Sequence, residues 1–120
     1  MNTPVYDFLI QYAERDPVRL HMPGHKGRFG APALQCATTL DLTEITGADS
    51  LFEAEGILAE SERNAASLYG TAYTFYSCGG STLCIQTMLL LMKQQGRAVL
   101  AARNVHRAFL NTCVLLDLPV

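Results

Sequence analysis

The chain has 120 residues and a mass of 13.1 kDa, enough for at most one compact domain. Hydrophobic residues make up 49% and charged residues 17%, a composition that needs a packed core and excludes a disordered tail. Nine basic and eleven acidic side chains give a formal charge of -2, which excludes the basic footprint of a nucleic-acid or anionic-membrane binder.

Met1-Asn2-Thr3-Pro4 lacks the basic start and apolar run of a signal peptide. Thr3 reads as an N-cap with Pro4 at the first helical position. Val5, Phe8, Leu9, Tyr12 and Ala13 then recur at helical spacing until Asp16-Pro17 ends the helix. Leu20 to Pro32, rich in glycine and proline, reads as a loop around His21-Met22-Pro23-Gly24-His25-Lys26-Gly27-Arg28. Thr38 to Asp49 is polar and reads as irregular, with at most a helical turn. Ile57 to Tyr69 is a helix, with Leu58, Ala65, Leu68 and Tyr69 as its apolar stripe and Gly70 as its stop.

Thr71 to Tyr76 is aromatic and β-branched, and reads as a strand. Ser77 to Thr82 is a turn. Leu83 to Gln95 is a helix apolar on most sides, expected to be buried, with Gly96 behind it. Its greasiest part, Leu83 to Met92, is interrupted by Gln86 and Thr87 and is too short to cross a bilayer. Ala98 to Ala102 reads as a strand covered on both faces. Asn104 opens a last helix with Val105, Phe109, Cys113 and Leu116 on one stripe. This alternation predicts an α/β fold with a mostly parallel sheet and flanking helices, incomplete in this chain. Two parts are expected: residues 1–50 as an N-terminal helix and ordered arm, and 51–120 as the start of a truncated major domain.

Cys36, Cys78, Cys84 and Cys113 form no C-x-x-C pair, and their small or apolar neighbours predict buried free thiols in a cytoplasmic protein. No metal site is expected; His21 and His25 have no nearby acidic or thiol ligand in sequence to complete one.

Three clusters could carry chemistry. In the turn Ser77 to Thr82, two glycines precede hydroxyl residues at a helix start. Backbone N–H groups there favour an anion, so the turn is either a phosphate cradle or a plain capped turn. Arg103-Asn104-Val105-His106-Arg107 follows the second expected strand, where α/β sheets bind ligands. His106 there is either a residue lying flat on an aromatic ligand or a surface histidine. The His21 to Arg28 loop is either an ordered functional loop or an exposed arm.

Together these motifs resemble the Orn/Lys/Arg decarboxylase family, pyridoxal-phosphate enzymes of fold type I. The resemblance rests on His21-Met22-Pro23-Gly24-His25-Lys26-Gly27, Asp41-Leu42-Thr43-Glu44, Gly47-Ala48-Asp49-Ser50-Leu51, Gly80-Ser81-Thr82 and Arg103-Asn104-Val105-His106. Arg107 stands where the family commonly has lysine. The resemblance implies an N-terminal part of an aspartate-aminotransferase-like major domain. It implies that Gly80, Ser81 and Thr82 hold the phosphate of pyridoxal 5'-phosphate and that His106 stacks on its ring. His21 and His25 would shape the active-site region or a subunit contact. The implied activity is that of a lyase of amino-acid and polyamine metabolism, decarboxylating arginine, lysine or ornithine, in a homo-oligomer that is at least a dimer. The only lysines, Lys26 and Lys93, lie outside the family's Schiff-base context, so this chain alone is expected to be inactive. The alternatives are a piece of another fold type I enzyme, an aminotransferase or a carbon–sulfur lyase, or a non-catalytic interaction domain.

Overall fold

A computed structural model describes residues 2–28 and 30–120. Phe29, inside the loop expected at Leu20 to Pro32, and Met1 lie outside the described residues. The chain divides into two compact units, Met1–Tyr76 and Ser77–Val120. The first contains α1 (Pro4–Glu14), a 3-10 turn (Pro32–Leu34) running into α2 (Gln35–Leu40), and α3 (Ile57–Tyr69). The second contains α4 (Gly80–Gln94) and α5 (Arg107–Leu115).

α1 begins where the threonine-proline pair places it. The Thr3 N–H and hydroxyl both donate to the Asp7 carboxylate, at 3.2 and 3.0 Å, and the acidic group sits favourably in the first turn. The helix is over before Asp16, which turns to φ 41° ahead of Pro17. α1 packs against both α2 and α3. α2 was not expected from its threonines. They fit because the Thr38 and Thr39 hydroxyls donate back to carbonyls of Leu34 and Gln35, at 3.2 Å and 2.7 Å respectively.

α3 starts against Asp49. Its carboxylate accepts the N–H groups of Ser50, Glu55, Gly56 and Leu58, so an acid outside the helix replaces a local cap. Partial burial pushes this carboxyl up, but the four backbone N–H bonds prevail and lower it to about 2. At the other end Gly70 is left-handed (φ 65°, ψ 31°) and the Thr71 N–H reaches back to the Ala66 carbonyl at 3.0 Å. Of the expected stripe, Leu68 and Tyr69 are exposed; the buried residue is Ala66.

In the second unit Leu89, Phe109 and Cys113 form the core between α4 and α5, with Ile85, Val99, Ala101, Val105, Leu116 and Leu118 packed around it. The α5 stripe thus lies where its spacing predicts. Buried Thr112 is satisfied by donating to the Ala108 carbonyl at 2.6 Å.

Three expectations require correction. First, neither expected strand forms, and no strand is present among the described residues. A strand is defined by pairing, and these segments have no ladder partner. The Tyr76 N–H donates to the Glu62 carboxylate instead, and Tyr73 and Phe75 stack on each other at 6.4 Å in the open. In Ala98 to Ala102, Val99 and Ala101 rest on the core while Leu100 is wholly exposed, so the run is covered on one side only. The α/β fold with a parallel sheet, and with it the fold type I major domain, is replaced by two helical units. Second, α4 is not buried on most sides. Leu89 is its one buried residue, and Leu83, Met88, Leu90 and Leu91 are exposed. Third, Cys36, Cys78 and Cys84 are exposed; Cys113 is the buried thiol, and all four are free. Among the described residues no helix is long and apolar enough to cross a membrane.

Candidate functional site

The loop between α1 and α2 is held by its own polar side chains. The His21 Nδ1–H donates to the Met22 carbonyl at 2.5 Å, which leaves Nε2 to accept from the Tyr12 hydroxyl at 2.6 Å. His25 has the opposite arrangement. Its Nδ1 accepts the Gly27 N–H at 3.1 Å, so Nε2–H faces Asp41 Oδ2 at 3.0 Å. The two histidines are therefore engaged in separate contacts, with both ring nitrogens of each committed to other partners.

Arg19 is the clamp of this loop. Its guanidinium donates to the Thr39 carbonyl at 2.6 Å and to the Thr38 carbonyl at 3.4 Å, and lies 5.2 Å over the Tyr12 ring. Gly27 makes room for it. A Cβ on Gly27 would stand 2.5 Å from the guanidinium carbon, and the backbone there has φ 76°. The Gln35 side-chain amide donates to the Gly27 carbonyl at 2.8 Å, and Lys26 Nζ donates to the His21 carbonyl. These bonds tie the loop to α1 and α2.

The same unit carries an apolar cleft of about 550 Å³ between α1 and α3. Val5, Leu9 and Ala65 line it, and Tyr6, Leu68 and Tyr69, 59%, 63% and 76% exposed, stand at its edge. The Tyr76 hydroxyl, also on the lining, is fixed by Ser61 at 2.8 Å. The sequence signal for this cleft was present in the α1 and α3 stripes, but a stripe does not say whether it meets its own chain or another.

In the second unit Gly80, Ser81 and Thr82 form the first turn of α4, exposed and without a side-chain cap. A helix does begin at this turn, but no strand leads into it. His106 is the N-cap of α5: its Nδ1 accepts the Ala108 N–H at 3.1 Å, so the helix expected to open at Asn104 begins at Arg107. The clefts described in this structure are lined by neither the α4 turn nor His106.

These placements correct the cofactor reading. A pyridoxal phosphate site of fold type I needs strand ends to present the phosphate turn and the stacking histidine on one edge of a sheet. With no sheet among the described residues that edge is not built, and the residues do not fit the group. The decarboxylase, lyase and polyamine-metabolism readings of this chain, and the alternative of another fold type I enzyme, fall with it.

A family model described as Orn/Lys/Arg decarboxylase, major domain, matches residues 3–119. Among similar proteins, the uncharacterized protein YaaO of Bacillus subtilis is 34% identical over 90% of this chain and 24% of its own length. An arginine decarboxylase of Halalkalibacterium halodurans is 32% identical over 93% of this chain and 24% of its own length. The lysine decarboxylase LdcA of Pseudomonas aeruginosa is 24% identical over 93% of this chain and 16% of its own length. The chain spans about a quarter or less of the length of these curated relatives. No solved structure matches it.

Proposed function

The chain belongs to the Orn/Lys/Arg decarboxylase family, and we propose that it acts as a non-catalytic interaction domain that meets a second copy of itself through the cleft between α1 and α3. The observation that carries this reading is the open apolar cleft edged by Tyr6, Leu68 and Tyr69. Tyrosine is favoured at such surfaces because a rigid apolar ring carries a polar tip. A second copy is the partner because one patch offers both a hole and projecting rings, as a two-fold contact of identical faces requires. In this reading the other singled-out residues are supports. His21 and His25 fix the first unit's loop, while Gly80, Ser81, Thr82 and His106 open the two helices of the second.

Sedimentation equilibrium over a range of chain concentrations tests this. Self-association is expected for the natural sequence and is weakened about tenfold or more by Leu68→Ser, since truncating an anchor residue costs 2 kcal/mol or more in typical interfaces, roughly a thirtyfold effect. Leu68 is exposed, so its change leaves the helix intact. A concentration-independent monomer, or a Leu68→Ser variant that associates like the parent, contradicts the proposal.

A further inference from the structure

On the same unit, three basic residues line a different cleft. It has a volume of about 360 Å³ and is lined by Asp16, Pro17, Val18, Arg19, Lys26 and Arg28. Arg19 is half-buried, and its bonds go to the carbonyls of Thr38 and Thr39, which orient the guanidinium without neutralising it. Lys26 gives one N–H to the His21 carbonyl, leaving two of its three donors. Among the described residues neither side chain pairs with a carboxylate. The ion pair at this cleft joins Arg28 to Asp16 at 3.8 Å, and both are more than four-fifths exposed. Such a solvated pair contributes little and exchanges readily.

The charge at the cleft is therefore three positive groups against one negative. A half-buried cation without a counter-charge is unfavourable, and its field is screened less than on open surface. The local excess matches a dianion. Arginine supplies the planar fork that phosphate oxygens accept, and lysine adds a point charge beside it. The volume is at the small end for a ligand pocket, enough for a phosphoryl group and part of what it is attached to. Two of the cations are also pre-positioned: Arg19 is wedged against Gly27, and Lys26 Nζ is tied to the His21 carbonyl.

We propose that the cleft formed by Asp16, Arg19, Lys26 and Arg28 is a binding site for the dianionic phosphate group of a small molecule. Asp16 acts as an internal competitor that holds Arg28 until the ligand displaces it. This site is independent of the self-association cleft and stands whether or not that reading does.

The test is calorimetric titration of the full chain with orthophosphate, pyrophosphate, acetate and a phosphoserine peptide, with amide shifts of Lys26 to Arg28 read in parallel. Saturable binding of pyrophosphate, tighter than that of acetate and weakening as salt rises, is expected. Lys26→Asn removes the charge with a residue that tolerates the left-handed backbone, and is expected to weaken binding about tenfold. Arg28→Gln, at a side chain more than four-fifths exposed, is expected to weaken it severalfold. Asp16→Asn is expected to tighten it about threefold, by freeing Arg28 and raising the local charge. Failure to saturate, equal affinity for acetate and pyrophosphate, or charge-removal variants that bind like the parent would overturn the site. Preference for the phosphoserine peptide over pyrophosphate would overturn its assignment to a small molecule.

Discussion

Replacing Gly27 by alanine confronts the first unit with two separate costs. The backbone at Gly27 has φ 76°, a region that costs a residue with a Cβ about 1–2 kcal/mol. The added Cβ also lands 2.5 Å from the Arg19 guanidinium carbon, so the guanidinium must leave. It then gives up its bonds to the Thr38 and Thr39 carbonyls and its place over Tyr12. A hydrogen bond from a charged donor contributes about 1.5–3 kcal/mol and the ring contact about 0.5–1 kcal/mol, some of which Arg19 recovers from water. A loss of about 3 kcal/mol is the expected outcome, a large part of the ~5–15 kcal/mol that holds a domain together. Gly24 is the control. It lies in the same loop, has no positive φ, and an added Cβ there meets nothing within 4 Å. All five tyrosines, at positions 6, 12, 69, 73 and 76, belong to the first unit. Urea unfolding followed by tyrosine near-ultraviolet circular dichroism therefore reads that unit alone. Gly27→Ala should lower the midpoint well below that of Gly24→Ala, which should match the parent. Equal midpoints for the two variants would refute the clamp.

In the second unit, Leu89→Ala empties the centre of the core and should cost about 2–5 kcal/mol, measured as lost amide-exchange protection in α4 and α5. The four backbone N–H bonds hold the Asp49 carboxyl at about 2 in the folded state, below its ordinary value of 3.8. Its contribution is therefore fully present above the unfolded value and is lost as pH falls through about 2; acid titration of the parent should show this loss and Asp49→Asn should not. Cys36, Cys78 and Cys84 should react with a thiol reagent in the native chain, and Cys113 only after unfolding, which a stepwise thiol count by mass spectrometry checks.

The helices of this chain were legible because their signals are local. The Thr3-Pro4 start, the Gly70 stop and the Phe109–Cys113 stripe each act within a turn or two of themselves. α2 was missed because its stabilising bonds pair threonine hydroxyls with the preceding turn, which propensity counts against it. The strands failed for a different reason. Aromatic or apolar composition at Thr71 to Tyr76 and Ala98 to Ala102 marks a segment able to pair, but pairing is a property of two segments. Val99 and Ala101 find a helical core, and Tyr73 and Phe75 find each other. The candidate residues divide in the same way. His21 and His25 could be placed in a loop from sequence, but their partners Tyr12 and Asp41 could not. The cap role of His106 depends on where α5 starts, a matter of two residues. The cationic cleft was least legible of all. Asp16, Arg19 and Lys26 meet only because Gly27 lets the loop close on the guanidinium.

Amide hydrogen exchange at low and high chain concentration tests the interaction reading most directly, because it reports where contact is made as well as whether it occurs. Added protection at high concentration is predicted for the α1 and α3 residues around Tyr6, Leu68 and Tyr69, and it should vanish in Leu68→Ser. Exchange around the cleft that does not change with concentration, or new protection confined to α4 and α5, would contradict it.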